Sequence, residues 1–221
     1  MMVDVDDLAP TRRALHAVAE LVLAGPQYRR SGTIRLRVTD TGFATIREPT
    51  VAVEGAELVA GTLRIGIDER TCVELAAMLG VAAGKPEDLY KDGSGVAADE
   101  VLEADSAAAA YLAECFRIGD QALRTFAPDV PDEQRVLWPE HFDVGVSVDE
   151  INYGVSPGDG YSAEPYAYVG PWQPRQGQFW NAPFGATRPM RDLPDADAVV
   201  AFFTEGRTRA REDAPEPPAG P

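Results

Sequence analysis

The sequence predicts an α+β protein with an antiparallel meander sheet in each half and flanking helices. Three observations carry this. From Ile34 to Ile67 apolar and polar residues alternate in short runs broken by turn residues. The connections there are too short for crossover helices, so neighbouring strands pair antiparallel. From Asp99 to Phe126 the period becomes helical, and after Phe142 it returns to two.

In chain order, Pro10 suits the first turn of a helix carrying Leu15, Val18, Leu21 and Val22, and Gly25-Pro26 is its expected stop. His16 reads as a core-edge histidine of that helix. Ile34, Leu36 and Val38 open the sheet, and Asp40-Thr41-Gly42 is a turn. Short strands follow at Phe43 to Ile46, Val51 to Val53, Leu58-Val59 and Leu63 to Ile67. Arg35, Arg37 and Arg64 fall on the solvent side, read as a wet sheet face in preference to an anion-binding stripe. Asp68 to Gly80 reads as a helix in which Thr71 and Glu74 have capping-box spacing.

The loop 81–98 is the expected divide between two lobes, 1–80 and 99–211, of a single domain spanning 1–211. Asp99 to Phe126 is the longest expected helix, with Val101, Ala104, Ala108, Leu112, Phe116 and Leu123 on its stripe. Gly119 offers a place for close approach. Phe142, Val144, Val146 and Val148 alternate with Asp143, Gly145, Ser147 and Asp149, the pattern of a half-buried strand. Asn152 to Val155 continues or pairs with it, Tyr166 to Trp172 forms another strand, and Phe179 to Ala182 a third candidate. Asp195 caps a final helix, and the proline-rich 212–221 reads as a disordered tail.

Acidic residues outnumber basic ones 36 to 20, a net charge of −16, and the lysines are Lys85 and Lys91 alone. Such a surface repels phosphate backbones and anionic lipid, so nucleic-acid and membrane partners are not expected. Cys72 and Cys115 are too few for a disulfide framework. With no apolar leader pattern and no membrane-span-length apolar run, the expectation is a cytoplasmic protein. The Ala, Arg and Asp bias is that of a high-GC bacterium.

Three motifs tempt. Gly154-Val155-Ser156-Pro157-Gly158 matches the G-x-S-x-G elbow, yet Pro157 lacks the N–H an oxyanion hole needs, and both histidines precede the serine. His141-Phe142-Asp143 reads as an H-x-D on a strand with both side chains on one face, but no later histidine completes an iron site. Gly93-Ser94-Gly95 with Ala98 matches a dinucleotide fingerprint without the buried strand that must precede it.

All three tryptophans and four of the seven tyrosines lie between Leu137 and Phe184, which makes this the expected functional stretch. Leu137-Trp138-Pro139-Glu140-His141-Phe142-Asp143-Val144, Pro165-Tyr166-Ala167-Tyr168 and Phe179-Trp180-Asn181-Ala182-Pro183-Phe184-Gly185-Ala186 resemble an actinobacterial family known only as a domain of unknown function. The resemblance implies the order N-terminal helix, sheet, F-D strand, Y-A-Y segment and closing helix. It implies no activity. Glu140-His141 stands where the broader group carries small or neutral residues.

The residues themselves point to a small-molecule site of aromatic walls and a few polar groups. His141, with Asp143 and Glu140 beside it, is the natural acid or base if there is chemistry. Trp138, Asn152, Glu164, Tyr166, Tyr168, Trp172, Trp180 and Asn181 are the candidate ligand contacts. Two alternatives stand beside this: an interaction or homodimer patch built from the same aromatics, and a metal-assisted enzyme using His141 and carboxylates. No cofactor is identified, and whether the chain is an enzyme stays open.

Overall fold

The computed structural model describes residues 5–86, 88–91 and 93–213. Ten antiparallel strands form one sheet in the order β10-β9-β8-β7-β6-β1-β2-β3-β4-β5. The first meander comprises β1 (Leu36–Thr39), β2 (Gly42–Thr45), β3 (Ala52–Glu54), β4 (Glu57–Ala60) and β5 (Leu63–Gly66). The second comprises β6 (Val136–Trp138), β7 (Asp143–Val148), β8 (Ile151–Ser156), β9 (Tyr166–Pro171) and β10 (Ala186–Pro189). The two five-stranded meanders join edge to edge where Leu36 of β1 meets Leu137 of β6.

The helices are α1 (Val5–Ala17), α2 (Gly25–Ser31), α3 (Cys72–Met78), α4 (Ser106–Phe126) and α5 (Ala196–Glu212). α4 lies across β1, β2, β7 and β8, α5 packs on β9, and both meanders contribute to one buried core. Gly119 of α4 allows this contact: a Cβ there would sit 2.7 Å from Val155 Cγ2. Gly206 of α5 does the same against Val169. Since Val144, Val155 and Val169 face the helices, their strand neighbours Asp143, Gly145, Ser147, Asn152, Gly154, Tyr166 and Tyr168 face the other side.

Four expectations are corrected. Gly25-Pro26 does not stop the first helix. A π-helical segment, Val18–Ala24, intervenes, the Gly25 N–H reaches back to the Glu20 carbonyl, and the helix ends only at Gly32, in the left-handed region at φ 73°. The long helix starts at Ser106, not Asp99. Its Asp105 cap accepts from the Ala108 N–H, while Leu102 exchanges backbone hydrogen bonds with Glu69 and Arg70. Val101 therefore bridges Thr71 and is exposed, off the helical stripe. Phe179 to Ala182 is not a strand, because β9 takes Ala186–Pro189 as its neighbour. The capping box at Thr71 and Glu74 and the Asp195 cap are present. Finally, Glu212 belongs to α5 and not to the expected tail; 214–221 lies outside the described residues.

Cys72 and Cys115 are free and buried, and burial pushes both thiols up to about 12. No helix among the described residues is long and apolar enough to cross a membrane.

Candidate functional site

The site is laid out by register. Gly145 of β7 pairs with Gly154 of β8, and Gly154 pairs with Tyr168 of β9. Glycine inside a strand marks a close approach. Here the approaching group is Tyr168: a Cβ on Gly145 would lie 2.8 Å from its hydroxyl oxygen, and one on Gly154 would overlap it. The ring thus crosses two strands and brings its hydroxyl to Asp143, to which it donates a hydrogen bond. Burial raises the Asp143 carboxyl above the usual carboxylate range. The Tyr168 bond and the nearby His141 imidazole offset part of this, and Glu140 adds to it. Burial first, then Asp143, raises the Tyr168 phenol well above its ordinary value. The proton accordingly stays on the phenol and the carboxylate accepts. Asp143 Oδ1 is buried with no hydrogen-bond partner.

Around this floor lies a hollow of about 610 Å³, within the ~300–1,000 Å³ range of small-molecule sites. Trp138 forms one wall, with the Arg35 guanidinium 5.8 Å from its ring centroid. Ser147 Oγ donates to Asn152 Oδ1 at 2.6 Å on the other side, and Trp172 Nε1 donates to the same oxygen at 3.1 Å. Glu140 and His141 form part of the lining, and Glu140 Oε2 is also buried without a partner.

Glu140 and His141 belong to the β6–β7 hairpin loop, which corrects the expectation of an H-x-D on one strand. Phe142 sits between them and Asp143 at φ 54°, so the period-two rule does not carry across it. Its reward is internal. Phe142 is buried, stacked parallel on His16 at 5.2 Å and edge-on to Phe43 and Phe116. His16 Nε2 lies 2.8 Å from the Pro139 carbonyl and therefore donates to it. Burial lowers the His16 pKa.

A second hollow of about 750 Å³ adjoins the first at Glu140 and His141 and is lined by both histidines. Its rim carries the Arg13–Glu100 ion pair, whose members satisfy each other. Behind it the wholly buried Glu20 of the π-helical segment takes hydrogen bonds from Ser94 N and Oγ at 3.0 and 2.7 Å. A side chain on Gly93 would overlap that carboxylate. The glycine-rich loop therefore closes around an internal anion. The smaller hollow is the stronger candidate because it alone joins aromatic walls to the enclosed Asp143 carboxylate.

Trp138, Glu140, His141, Asp143, Asn152 and Tyr168 line this one hollow. The remaining candidates lie elsewhere. Tyr166 is buried, with its hydroxyl 2.6 Å from Asp159. Glu164 is ion-paired with Arg191. Trp172 touches the hollow only through Asn152 and is otherwise exposed. Trp180 donates to Asp213 at 2.9 Å beside α5. Asn181 pins its own loop by accepting from Thr187 N at 2.8 Å and donating to Thr187 O at 3.1 Å. Gly145, Gly154 and Glu20 were not among the expected site residues, and Arg35 was expected on a wet sheet face rather than in this hollow. The two glycines inside apolar strand patterns were the available signal; Glu20 left none. Among the described residues, no three His, Cys, Asp or Glu side chains gather to hold a metal.

Comparison with protein-family models, with curated proteins and with solved structures returns no match.

Proposed function

We propose that the chain binds a small molecule in the hollow on the helix-free side of the second meander. The observation that carries this is Asp143: an enclosed carboxylate held by a single side-chain donor, with its other oxygen unpartnered, at the floor of an aromatic-walled hollow of ligand size. A buried charged acceptor left without a donor is costly, roughly 1–3 kcal/mol or more, and such groups cluster where a ligand completes them. Trp138 and Tyr168 supply the flat apolar surfaces, and Ser147 and Asn152 supply directional polarity. Cytoplasmic residence belongs to the same reading, supported by two buried free thiols.

The test is a protein-observed NMR screen against a chemically diverse fragment library. Hits are expected to shift the Trp138 indole and the amides of Gly145, Ser147 and Asn152, and to fade in Trp138→Ala. A library that leaves those resonances unmoved at millimolar concentration overturns the reading.

One observation favours a second reading, an interaction or homodimer patch. Trp172 is 62% exposed, and it shares a groove with Pro171, Pro174, Pro183 and Phe184, against which Tyr161 packs edge-on. Exposed aromatics beside prolines are the composition of contact sites. Light scattering after size exclusion tests the dimer: a dimer dissociated by Trp172→Ser supports it, and a monomer at every concentration overturns that form of it.

A further inference from the structure

We infer that the group this hollow recognises is a small organic cation, an ammonium or guanidinium head seated between Asp143 and Glu140. This rests on the small-molecule reading above and names its ligand class. Two carboxylate oxygens, Asp143 Oδ1 and Glu140 Oε2, are each buried and each lack a donor, and both residues line the hollow. A ligand that completes them must bring at least two N–H or O–H hydrogens. An ammonium offers three and a guanidinium five, whereas an anion or an acceptor-only ligand leaves both oxygens unmet and adds repulsion.

The walls agree with a cation. Trp138 and Tyr168 line the hollow together with the carboxylates, and a cation within about 6 Å of an aromatic face is attracted by its quadrupole. The net charge of −16 raises the local concentration of cations generally. Beside Asp143, Glu140 and Tyr168, three further charged or titratable groups, Arg35, Glu133 and His141, share the hollow and limit where the head can go. Arg35 lies above Trp138 and donates to the Glu133 carbonyl at 3.3 Å. By register it stands two strands from Asp143, about 10 Å away at the usual strand spacing. His141 flanks the Asp143 end from the hairpin loop. The head therefore enters over Asp143, and the rest of the ligand runs along Trp138 towards Arg35. That end, where Arg35 stands beside Glu133, suits a neutral polar tail.

The test compares four probes of similar length by calorimetry and NMR on the full chain: agmatine, putrescine, butane-1,4-diol and succinate. Agmatine and putrescine are expected to bind at the hollow at least about tenfold more tightly than the diol or succinate, a difference of about 1.4 kcal/mol. Asp143→Asn and, independently, Glu140→Gln in the hairpin loop should each abolish most of that preference. Glu164→Gln, which removes a carboxylate paired with Arg191 away from the hollow, should not. If the diol or succinate moves the hollow's resonances as strongly as agmatine does, the cation assignment falls and the hollow remains a binding site. If none of the four probes and no library fragment moves them, the small-molecule reading itself falls. Equal binding by wild type and both carboxylate variants also overturns the assignment.

Discussion

Tyr168 donates its hydroxyl hydrogen to Asp143 from across two strands, over a floor of Gly145 and Gly154. The hydrogen bond favours the ionised carboxylate, and burial opposes it more strongly, so the folded Asp143 pKa lies above its unfolded value. The native state then holds this proton more tightly than the unfolded chain does. The resulting stabilisation is complete below the ordinary carboxylate range and is lost as pH rises through the raised folded pKa. Asp143→Asn keeps an acceptor for Tyr168 and never ionises. It is expected to be more stable than wild type near pH 7–8 by about 1–2 kcal/mol, with the gap closing towards pH ~4. Urea unfolding across that range measures it. A gap independent of pH, or one that widens on acidification, would contradict the assignment.

The two floor glycines separate the contributions of ring and backbone. At Gly145 an added Cβ meets chiefly the Tyr168 hydroxyl, at 2.8 Å, which a small ring tilt relieves. At Gly154 it would overlap both that hydroxyl and the Val144 carbonyl oxygen, and the backbone has no such freedom. Gly154→Ala is expected to destabilise by about 2–3 kcal/mol and Gly145→Ala by about half as much. Equal losses in urea unfolding would mean that the Tyr168 contact, not the ladder, dominates at both sites.

Local chemistry explains what was legible in the sequence. Period two identified the five strands of the first meander and β7, β8 and β9 of the second, but neither β6 nor β10, and turn residues such as Asp40-Thr41-Gly42 separated them. The same alternation put Asp143, Ser147, Asn152 and Tyr168 on one side of their strands, where they line one hollow, whereas Trp138, Glu140 and His141 reach it through β6 and the hairpin loop. Long-range pairing was not legible. The meanders are joined through Leu36 and Leu137, 101 residues apart, with no local signature at either. Backbone bonds from the Glu69 N–H to the Leu102 carbonyl and from the Leu102 N–H to the Arg70 carbonyl displaced the start of α4, although the apolar spacing runs on through Val101. The left-handed Phe142 broke the H-x-D reading, since a bulky residue at positive φ is held there only by its burial against His16, Phe43 and Phe116.

Ser94 tests the glycine-rich loop as a support for Glu20. Its hydroxyl and its N–H both donate to Glu20 Oε2, while Oε1 is buried without a partner. Ser94→Ala removes one of two donors from an enclosed carboxylate and is expected to destabilise by about 1–3 kcal/mol. In the double variant with Glu20→Gln the Ser94 effect should shrink by at least half, because the charge that needs the hydroxyl is gone. Additive losses in chemical denaturation would show that Ser94 acts through the loop alone.

Gly119 reverses the usual rule for helices. In an exposed helix interior, glycine to alanine gains up to about 1 kcal/mol. Here the new methyl would sit 2.7 Å from Val155 Cγ2, 2.9 Å from Val155 Cβ and 3.1 Å from Val144 Cγ1, all under the longest helix. Branched side chains on a paired strand have little room to yield, so Gly119→Ala is expected to destabilise by about 1–3 kcal/mol despite its better propensity. Val155→Ala alone removes two buried methyl groups and should cost about 2 kcal/mol or more. If contact with Val155 is the cause, the double variant Gly119→Ala with Val155→Ala is more stable than the sum of the single losses, by at least ~1 kcal/mol, because the methyl fills the space that valine vacates. Strict additivity in urea unfolding would place the strain elsewhere and remove the reason given for glycine at this crossing. The same cycle on Gly206 and Val169, where an added Cβ would also lie 2.7 Å from a valine methyl, would then separate a shared packing device from a single tight spot.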